Sequence, residues 1–466
     1  MEKKQNRGSF TGRLGFVLAA AGSAVGLGNI WRFPYLAAKD GGGIFLLVYI
    51  ILALTFGFAL LTTEIAIGRK TGQSPLTAYK KLDAKWGWIG VVACIVPMMI
   101  LPYYSAIGGW ILKYLFAFLT GGAPTAAEAD GFFGGFITSP VEPILWFVLF
   151  LGATTFVVYK GVNAGIEKMS KVMMPILLVL IICIAVFSLT LTHTDAEGVT
   201  RTGLQGLKVY LIPNFQGMTA SKLLTVVTDA MGQLFYSISV AMGIMITYGS
   251  YVKKDTDLTK SVNQIEIFDT AVAFLAGMMI IPAVYAFMGP AGLEYAGPGL
   301  MFKALPKIFD TMGGIGTVIG IAFFVMVVFA ALTSSISIME ALVSSAMDKL
   351  KMSRQKAVVA VASIALVVGI IVCMGYTCFY FEADFGTVVA GQILDVLDYI
   401  SNSVLMPIVA IATCILVGWV VKPKTIISEV TANGEAFSRK GLYIVMVKYV
   451  TPALLVILLA KSLNLL

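Results

Sequence analysis

The chain is poor in charge. Of its 466 residues only 12% are Asp, Glu, Lys or Arg, against about twice that share in a soluble protein. A conventional solvated surface is therefore excluded. The single histidine, His193, stands at the end of an apolar run, so neither a histidine-built metal centre nor a histidine-based triad is available. HExxH and GxSxG patterns and a plausible Asp/Asp pair are also lacking, which removes the usual machinery of an intramembrane enzyme. The five cysteines (Cys94, Cys183, Cys373, Cys378 and Cys414) are odd in number, contain no CxxC pair and lie in or beside apolar stretches. They read as packing residues and imply no disulfide or metal framework.

Hydrocarbon is plentiful. The chain is 58% hydrophobic, and its apolar runs have the roughly 20-residue length that crosses a bilayer core of about 30 Å. They are too long and too many for a cleaved signal peptide. Eleven spans are expected, over residues 13–37, 43–67, 88–118, 143–159, 172–192, 223–250, 264–288, 317–346, 357–377, 396–420 and 442–464. With a cytoplasmic N-terminus, the intervening segments on that side hold 23 of the 33 basic residues, and the long outer segment 121–142 holds none. This orientation obeys the positive-inside rule, and its odd parity places the C-terminus outside. The net charge of +8 thus records topology. It is not a nucleic-acid surface.

Two spans are spoiled from within. The first contains "GSAVGLGN" and the sixth "GQLFYSISVAMG". In hydrocarbon a helix can be broken only where protein or an aqueous cavity surrounds the freed backbone. Close packing through small residues is the alternative for Gly22 and Gly26, which have GxxxG spacing. The broken spans are, however, the first members of two blocks of five helices. An odd number per block makes the second block enter from the opposite side, giving a 5+5 inverted repeat of an all-α membrane protein with discontinuous helices 1 and 6. Interrupted helices at corresponding positions of two halves point to a transporter's midplane site. The segments expected are a tail (1–12), a first repeat (13–192), an outer loop (193–222), a second repeat (223–420), an inner loop (421–441) and a last helix (442–466).

The stretch "RLGFVLAAAGSAVGLGNIWRFPYLAAKDGGGIFLLVY" resembles the opening of the neurotransmitter:sodium symporters. The likeness continues in "PYYSAIGGW", "GQLFYSISVAMG", "DTAVAFLAGMMIIP" and "FAALTSSISIMEALV", and covers all but the C-terminal end. It is to the shorter, eleven-helix bacterial branch. The resemblance implies a sodium-coupled symporter that works by alternating access, with two Na⁺ sites. Na⁺ is a hard cation and exchanges its water for oxygens. The first site would use Ala24, Asn29, Ser237 and Asp269, where the family usually has asparagine in place of the aspartate. Members that need chloride hold it near Tyr49, Gln233, Ser237 and a further serine. That last position is Ala273 here, so Asp269 would supply the charge and transport would be chloride-independent. An exposed helix-end charge is the plain alternative for Asp269. The second site would use carbonyls of Gly22, Val25 and Ala330 with the hydroxyls of Thr333 and Ser334, whose plain alternative is bonding back to their own helix.

The substrate implied is an α-amino acid. Gly26 leaves room for its carboxylate, which would meet the Leu27 and Gly28 amides, the Tyr104 hydroxyl and the first Na⁺, beside Ala24 and Ser237. Its side chain would lie among Ile100, Tyr236, Ser239, Met242, Ser334 and Ile338. Methionine where the family often has phenylalanine suits a large hydrophobic or aromatic side chain. A carrier of small neutral amino acids is the alternative on the same fold, with a channel or receptor behind it. The resemblance further implies an outer gate of Arg32 and Asp398, and an inner gate of Arg7 and Asp348 near Phe10 and Tyr251. The Gly165–Pro175 stretch matches a motif at which helix 5 unwinds. The partners expected are the amino acid and the bilayer, with no nucleic acid, and the chain is expected to be a monomer or weak dimer.

Overall fold

The computed structural model describes residues 8–128, 130–384 and 389–465. Arg7, one half of the expected inner ion pair, lies outside them. Among the described residues nine continuous helices are long and apolar enough to cross a membrane. They are α2 (Gly43–Thr71), α3 (Ala84–Leu119), α4 (Glu142–Tyr159), α5 (Val162–Leu189), α7 (Leu258–Gly292), α8 (Gly314–Leu350), α9 (Arg354–Met374), α10 (Ile393–Val420) and α11 (Lys440–Ser462). The tenth candidate, α1, is a bent pair, Arg13–Ala24 and Gly28–Lys39, turned by 54° at its break. The stretch expected as a sixth span is two shorter helices, α6, Ala220–Ser237 and Ile244–Ser250, and does not qualify as a span by length and composition. The β-structure among the described residues is two short hairpins, of which β1 (Thr192–Thr194) and β2 (Thr200–Thr202) precede a helix over Gly203–Leu211.

One expected boundary is corrected. Helix α5 begins at Val162, ten residues before the apolar run suggests, because the polar stretch containing Glu167 and Lys171 is helical. Glu167 is buried, bonds Lys171 at 2.7 Å and accepts the Thr11 amide at 2.8 Å. A charge satisfied this way no longer needs solvent, so the helix extends through it. The Gly165–Pro175 stretch is wound here: a π-turn over Val162–Glu167 runs directly into the α-helix that contains Pro175.

Small residues let the helices approach closely, as membrane packing requires. A side chain at Gly68 of α2 would start 2.0 Å from the Ile246 carbonyl of α6, and one at Gly249 of α6 would start 2.3 Å from the Ile65 carbonyl of α2. These two glycines clamp the second half of α6 onto α2. Gly109 does the same for α3 against the Phe147 backbone of α4.

The two ends of the bundle differ. At the end carrying the N-terminus, Phe10 is buried against Phe16, Tyr248 and Tyr251, and its amide bonds the Tyr251 carbonyl at 3.2 Å. Beneath it Glu340 is fully buried, accepts the Tyr251 hydroxyl at 2.6 Å and pairs with Arg354. Arg354 also donates to the Val158 carbonyl at 3.0 Å, tying α4, α8 and α9 together. At the opposite end Arg32 is exposed and Tyr236 is half-buried. The N-terminal side is thus the more densely packed of the two.

Replacing Gly249 with alanine forces a methyl group into the Ile65 carbonyl, and overpacking of this kind costs about 1–3 kcal/mol. The thermal unfolding midpoint of Gly249→Ala in detergent should fall by several degrees. Gly152→Ala, where a side chain meets no atom within 4 Å, should leave it unmoved. Equal midpoints for both variants would refute the clamp.

Candidate functional site

The broken regions of α1 and α6 face each other. After Ala24 the chain leaves helical geometry at Val25 (φ −73°, ψ 88°) and resumes as a π-turn at Gly28. Leu27 and Gly28 therefore stand at the start of the second segment, where backbone amides have no carbonyl one turn earlier and the helix dipole is positive. In α6 the break contains three left-handed residues, Ser239 (φ 54°), Ala241 (φ 63°) and Gly243 (φ 74°). Two of them carry side chains and are strained. Hydrogen bonds hold them there. The Ala241 amide donates to Glu64 Oε1 at 2.6 Å, and Ser239 Oγ donates to the Ser23 carbonyl at 2.9 Å.

A cavity lies between the breaks. It is lined by Ser23, Ala24, Gly26, Leu27, Gly28 and Asn29 of α1, Ile100 and Tyr104 of α3, Tyr236, Ser237, Ser239 and Met242 of α6, and Ser334 and Ile338 of α8. All twelve residues that the sequence suggests for a substrate are among them. The cavity is narrow, with a volume of about 30 Å³. A side chain at Gly26 would begin 2.9 Å from Ser334 Oγ and 3.3 Å from the Tyr104 hydroxyl, so glycine is what keeps that side open. The Tyr104 hydroxyl is buried beside Ser334 and the Leu27 amide and makes no hydrogen bond of ordinary geometry.

Behind the cavity wall a polar cluster surrounds Asp269 of α7, which is fully buried. The helix-end alternative, with an exposed charge, is thereby corrected: the carboxylate faces α1 and α6 across the packed interior. Ser237 Oγ lies 2.7 Å from Asp269 Oδ1 and 2.9 Å from Asn29 Oδ1, and Asn29 Nδ2 donates to Asp269 Oδ1 at 2.9 Å. The other carboxylate oxygen, Asp269 Oδ2, makes no hydrogen bond of ordinary geometry, nor do Gln233 Oε1 and the Tyr49 hydroxyl, although Tyr49 faces Asp269 and Ser237. Poorly satisfied buried oxygens are costly. Oxygen donors gathered around a carboxylate are the chemistry that a hard monovalent cation needs, and this group fits one.

The second group is less open. Gly22 packs against Thr333, where a side chain would start 3.3 Å from Thr333 Cβ, so α1 and α8 do meet there. Yet Thr333 donates back to the Phe329 and Ala330 carbonyls at 2.9 and 3.1 Å, and Ser334 donates to the Ser23 carbonyl at 3.0 Å. The hydroxyl protons are used within protein, leaving oxygen lone pairs. The expected outer ion pair is not formed in this conformation. Asp398 accepts from Tyr103 at 2.9 Å and from Asn402 at 2.6 Å, while the Arg32 side chain lies beside Gly232 of α6. Asp398 thus has other donors to satisfy it. At the N-terminal end Asp348 accepts the Ser74 amide at 2.7 Å.

Three residues were not anticipated. Glu64 sits inside an apolar run of α2, and an ionisable residue at such depth is a signal by itself. Glu340 carries the same signal in α8. Ser23 was hidden among small residues that also suit helix packing.

Two facing broken helices around a central cavity, inside a bundle of apolar spans, define a multi-pass membrane transporter. The model of the sodium:neurotransmitter symporter family matches residues 7–129 and 138–466. The chain belongs to that family. It is a sodium-dependent transporter and not an enzyme. It is 33% identical over 465 residues to the sodium-dependent transporter YhdH of Bacillus subtilis, covering 97% of each chain. It is 26% identical over 430 residues to the human sodium- and chloride-dependent GABA transporter 2, covering 80% of this chain and 69% of that one. The crystal structure of MhsT in complex with L-phenylalanine is similar with a TM-score of 0.83 and 36% identity, covering 98% of this chain and all of the other.

Glu64→Ala leaves the Ala241 amide without its acceptor, at a cost of about 1–3 kcal/mol, and releases the strained turn. We expect a lower thermal midpoint and weakened ligand binding, with both restored in Glu64→Gln, which keeps an acceptor oxygen. If Glu64→Ala matches the wild type in both measurements, the anchor is dispensable.

Proposed function

We propose that this chain imports an α-amino acid together with Na⁺ by alternating access, and that its substrate is large and hydrophobic or aromatic. The buried Asp269 cluster, where oxygens of Asn29 and Ser237 converge on the carboxylate, carries the reading. In it, the first Na⁺ binds among the Ala24 carbonyl, Asn29, Ser237 and Asp269, and the substrate carboxylate lies against that ion, the Leu27 and Gly28 amides and the Tyr104 hydroxyl. Each partner then completes the other's site, which couples their binding. A second Na⁺ binds among Gly22, Val25, Ala330, Thr333 and Ser334, joining α1 to α8. Asp269 provides the fixed negative charge that chloride provides elsewhere in the family, and Ala273 offers chloride no hydroxyl. Transport is therefore chloride-independent.

The side chain of the substrate extends between Ile100, Met242 and Ile338. Because the cavity is narrow, a large side chain displaces Met242, whose unbranched thioether adapts readily. The bound phenylalanine in MhsT supports this size class. Arg32 and Asp398 approach as the outer side closes, and the Phe10, Tyr251 and Glu340–Arg354 layer then opens. The eleven-helix, 5+5 inverted arrangement, with a cytoplasmic N-terminus and an outer C-terminus, agrees with the distribution of basic residues.

Uptake of radiolabelled amino acids into proteoliposomes tests the reading. Accumulation should require an inward Na⁺ gradient and persist when gluconate replaces chloride. Uptake indifferent to Na⁺ would sink the coupling, and a chloride requirement would sink the role of Asp269. Asp269→Asn should weaken Na⁺-dependent binding about tenfold or more, the worth of one charge-assisted contact. Gly26→Asp should abolish uptake because its side chain starts against Ser334 and Tyr104. Normal uptake by that variant would place the carboxylate elsewhere.

A further inference from the structure

At the end of the bundle opposite the N-terminus, α1 finishes on another buried carboxylate. The Asp40 amide donates to the Leu36 carbonyl at 2.9 Å, and the residue is only 3% exposed. The turn that follows is pinned. The Gly42 amide donates to the Ala37 carbonyl at 2.8 Å, and the Asn214 amide donates to the Gly41 carbonyl at 3.3 Å. A side chain at Gly42 would start 2.2 Å from the Val209 carbonyl, so the 209–214 segment lies directly on this turn and meets it through backbone groups. The charged groups that face Asp40 come from three helices: Lys39 of α1, Asp229 of α6 and Lys461 of α11. Both ammonium groups pair with Asp229, Lys39 at 3.1 Å and Lys461 at 3.3 Å, and Lys461 also donates to Thr228 Oγ1 at 2.6 Å. Asp40 Oδ2 makes no hydrogen bond of ordinary geometry, although the Asp229 carboxylate faces it. Two adjacent carboxylates, one of them buried, are costly to keep charged together. Burial and the neighbouring Asp229 push the Asp40 carboxyl up to about 6, against the pull of Lys39 and Lys461. A proton on Asp40 removes the repulsion and makes the contact a carboxyl–carboxylate hydrogen bond, with Asp40 donating and Asp229 accepting. Asp229 keeps both lysines.

We propose that Asp40 is a proton-binding site, and that its protonation fastens the second segment of α1 to the first segment of α6. Lys461 extends the same latch to α11. Loss of the proton sets two carboxylates against each other and loosens the junction, so the pH at this end of the molecule sets how firmly the two segments hold together. The inference stands on the fold and is independent of which solute is carried. Its sign follows from the direction of the shift. An aspartate in an unfolded chain titrates at about 3.9, so the folded chain holds this proton more tightly. The stabilisation is complete below about pH 4 and is lost as pH rises through about 6.

Thermal unfolding of the purified full chain in detergent and sodium buffer, between about pH 5 and about pH 8, tests it beside Asp40→Asn. Asparagine is neutral throughout and still offers Asp229 a donor. The wild-type midpoint should fall by a few degrees relative to that of the variant as pH rises, with half of the change near pH 6. Asp229→Asn removes the facing charge and frees both lysines, so its half-point should move to lower pH. Amide hydrogen exchange over residues 36–42 and 220–229 should quicken in wild type across the same range by more than the intrinsic pH effect. In Asp40→Asn it should follow the intrinsic effect alone. Identical pH profiles for wild type and Asp40→Asn would overturn the proposal. So would a half-point that Asp229→Asn leaves unmoved, which would mean that Asp40 titrates without any link to α6. That second variant keeps the test decisive if Asp40→Asn does not fold.

Discussion

Everything in this molecule follows from one constraint: inside hydrocarbon a polypeptide must satisfy its own amides and carbonyls. Helices α1 and α6 break, and each break is tolerable only because the other lies against it. The Ser23 carbonyl, in the last turn before the α1 break, is taken by hydroxyls of α6 and α8. The Ala241 amide is taken by a carboxylate of α2. The Asn29 side chain bonds Ser237 and Asp269 and so fastens α1 to α6 and α7. Satisfaction is least complete at the Tyr104 hydroxyl and Asp269 Oδ2.

The same constraint explains the asymmetry between the two ends. The packing beside the N-terminus uses an ion pair between the fully buried Glu340 and the half-buried Arg354, reinforced by a tyrosine and a backbone carbonyl. Such a pair is costly to break by removing one member and weak as net stabilisation. At the other end Asp398 is satisfied by Tyr103 and Asn402, leaving Arg32 in solvent. The carboxylate has alternative donors, so the arginine can engage or withdraw without stranding it.

Much of the architecture was legible in the sequence because the bilayer imposes a length on every crossing. Nine long spans and the bend in α1 follow from that length and from the run of small residues. The start of α5 was not legible. Glu167 and Lys171 look like loop residues until they are seen to bond each other and Thr11, a contact 156 residues away in sequence. The expected cavity residues do converge on one space, since a family motif fixes their spacing within each helix. Glu64, Glu340 and Ser23 escaped because their roles depend on partners from other helices.

The sequence alone determined that this is a multi-pass helical protein, where its first and sixth runs are interrupted, and to which family the opening motif belongs. All of these depend on local composition or on contiguous residues. The tertiary structure decided which oxygens are least satisfied, whether the Arg32–Asp398 pair is engaged and which carbonyl the Ser239 and Ser334 hydroxyls take. Those are relations between groups on different helices, set by distances of about 3 Å, and no one-dimensional pattern carries them.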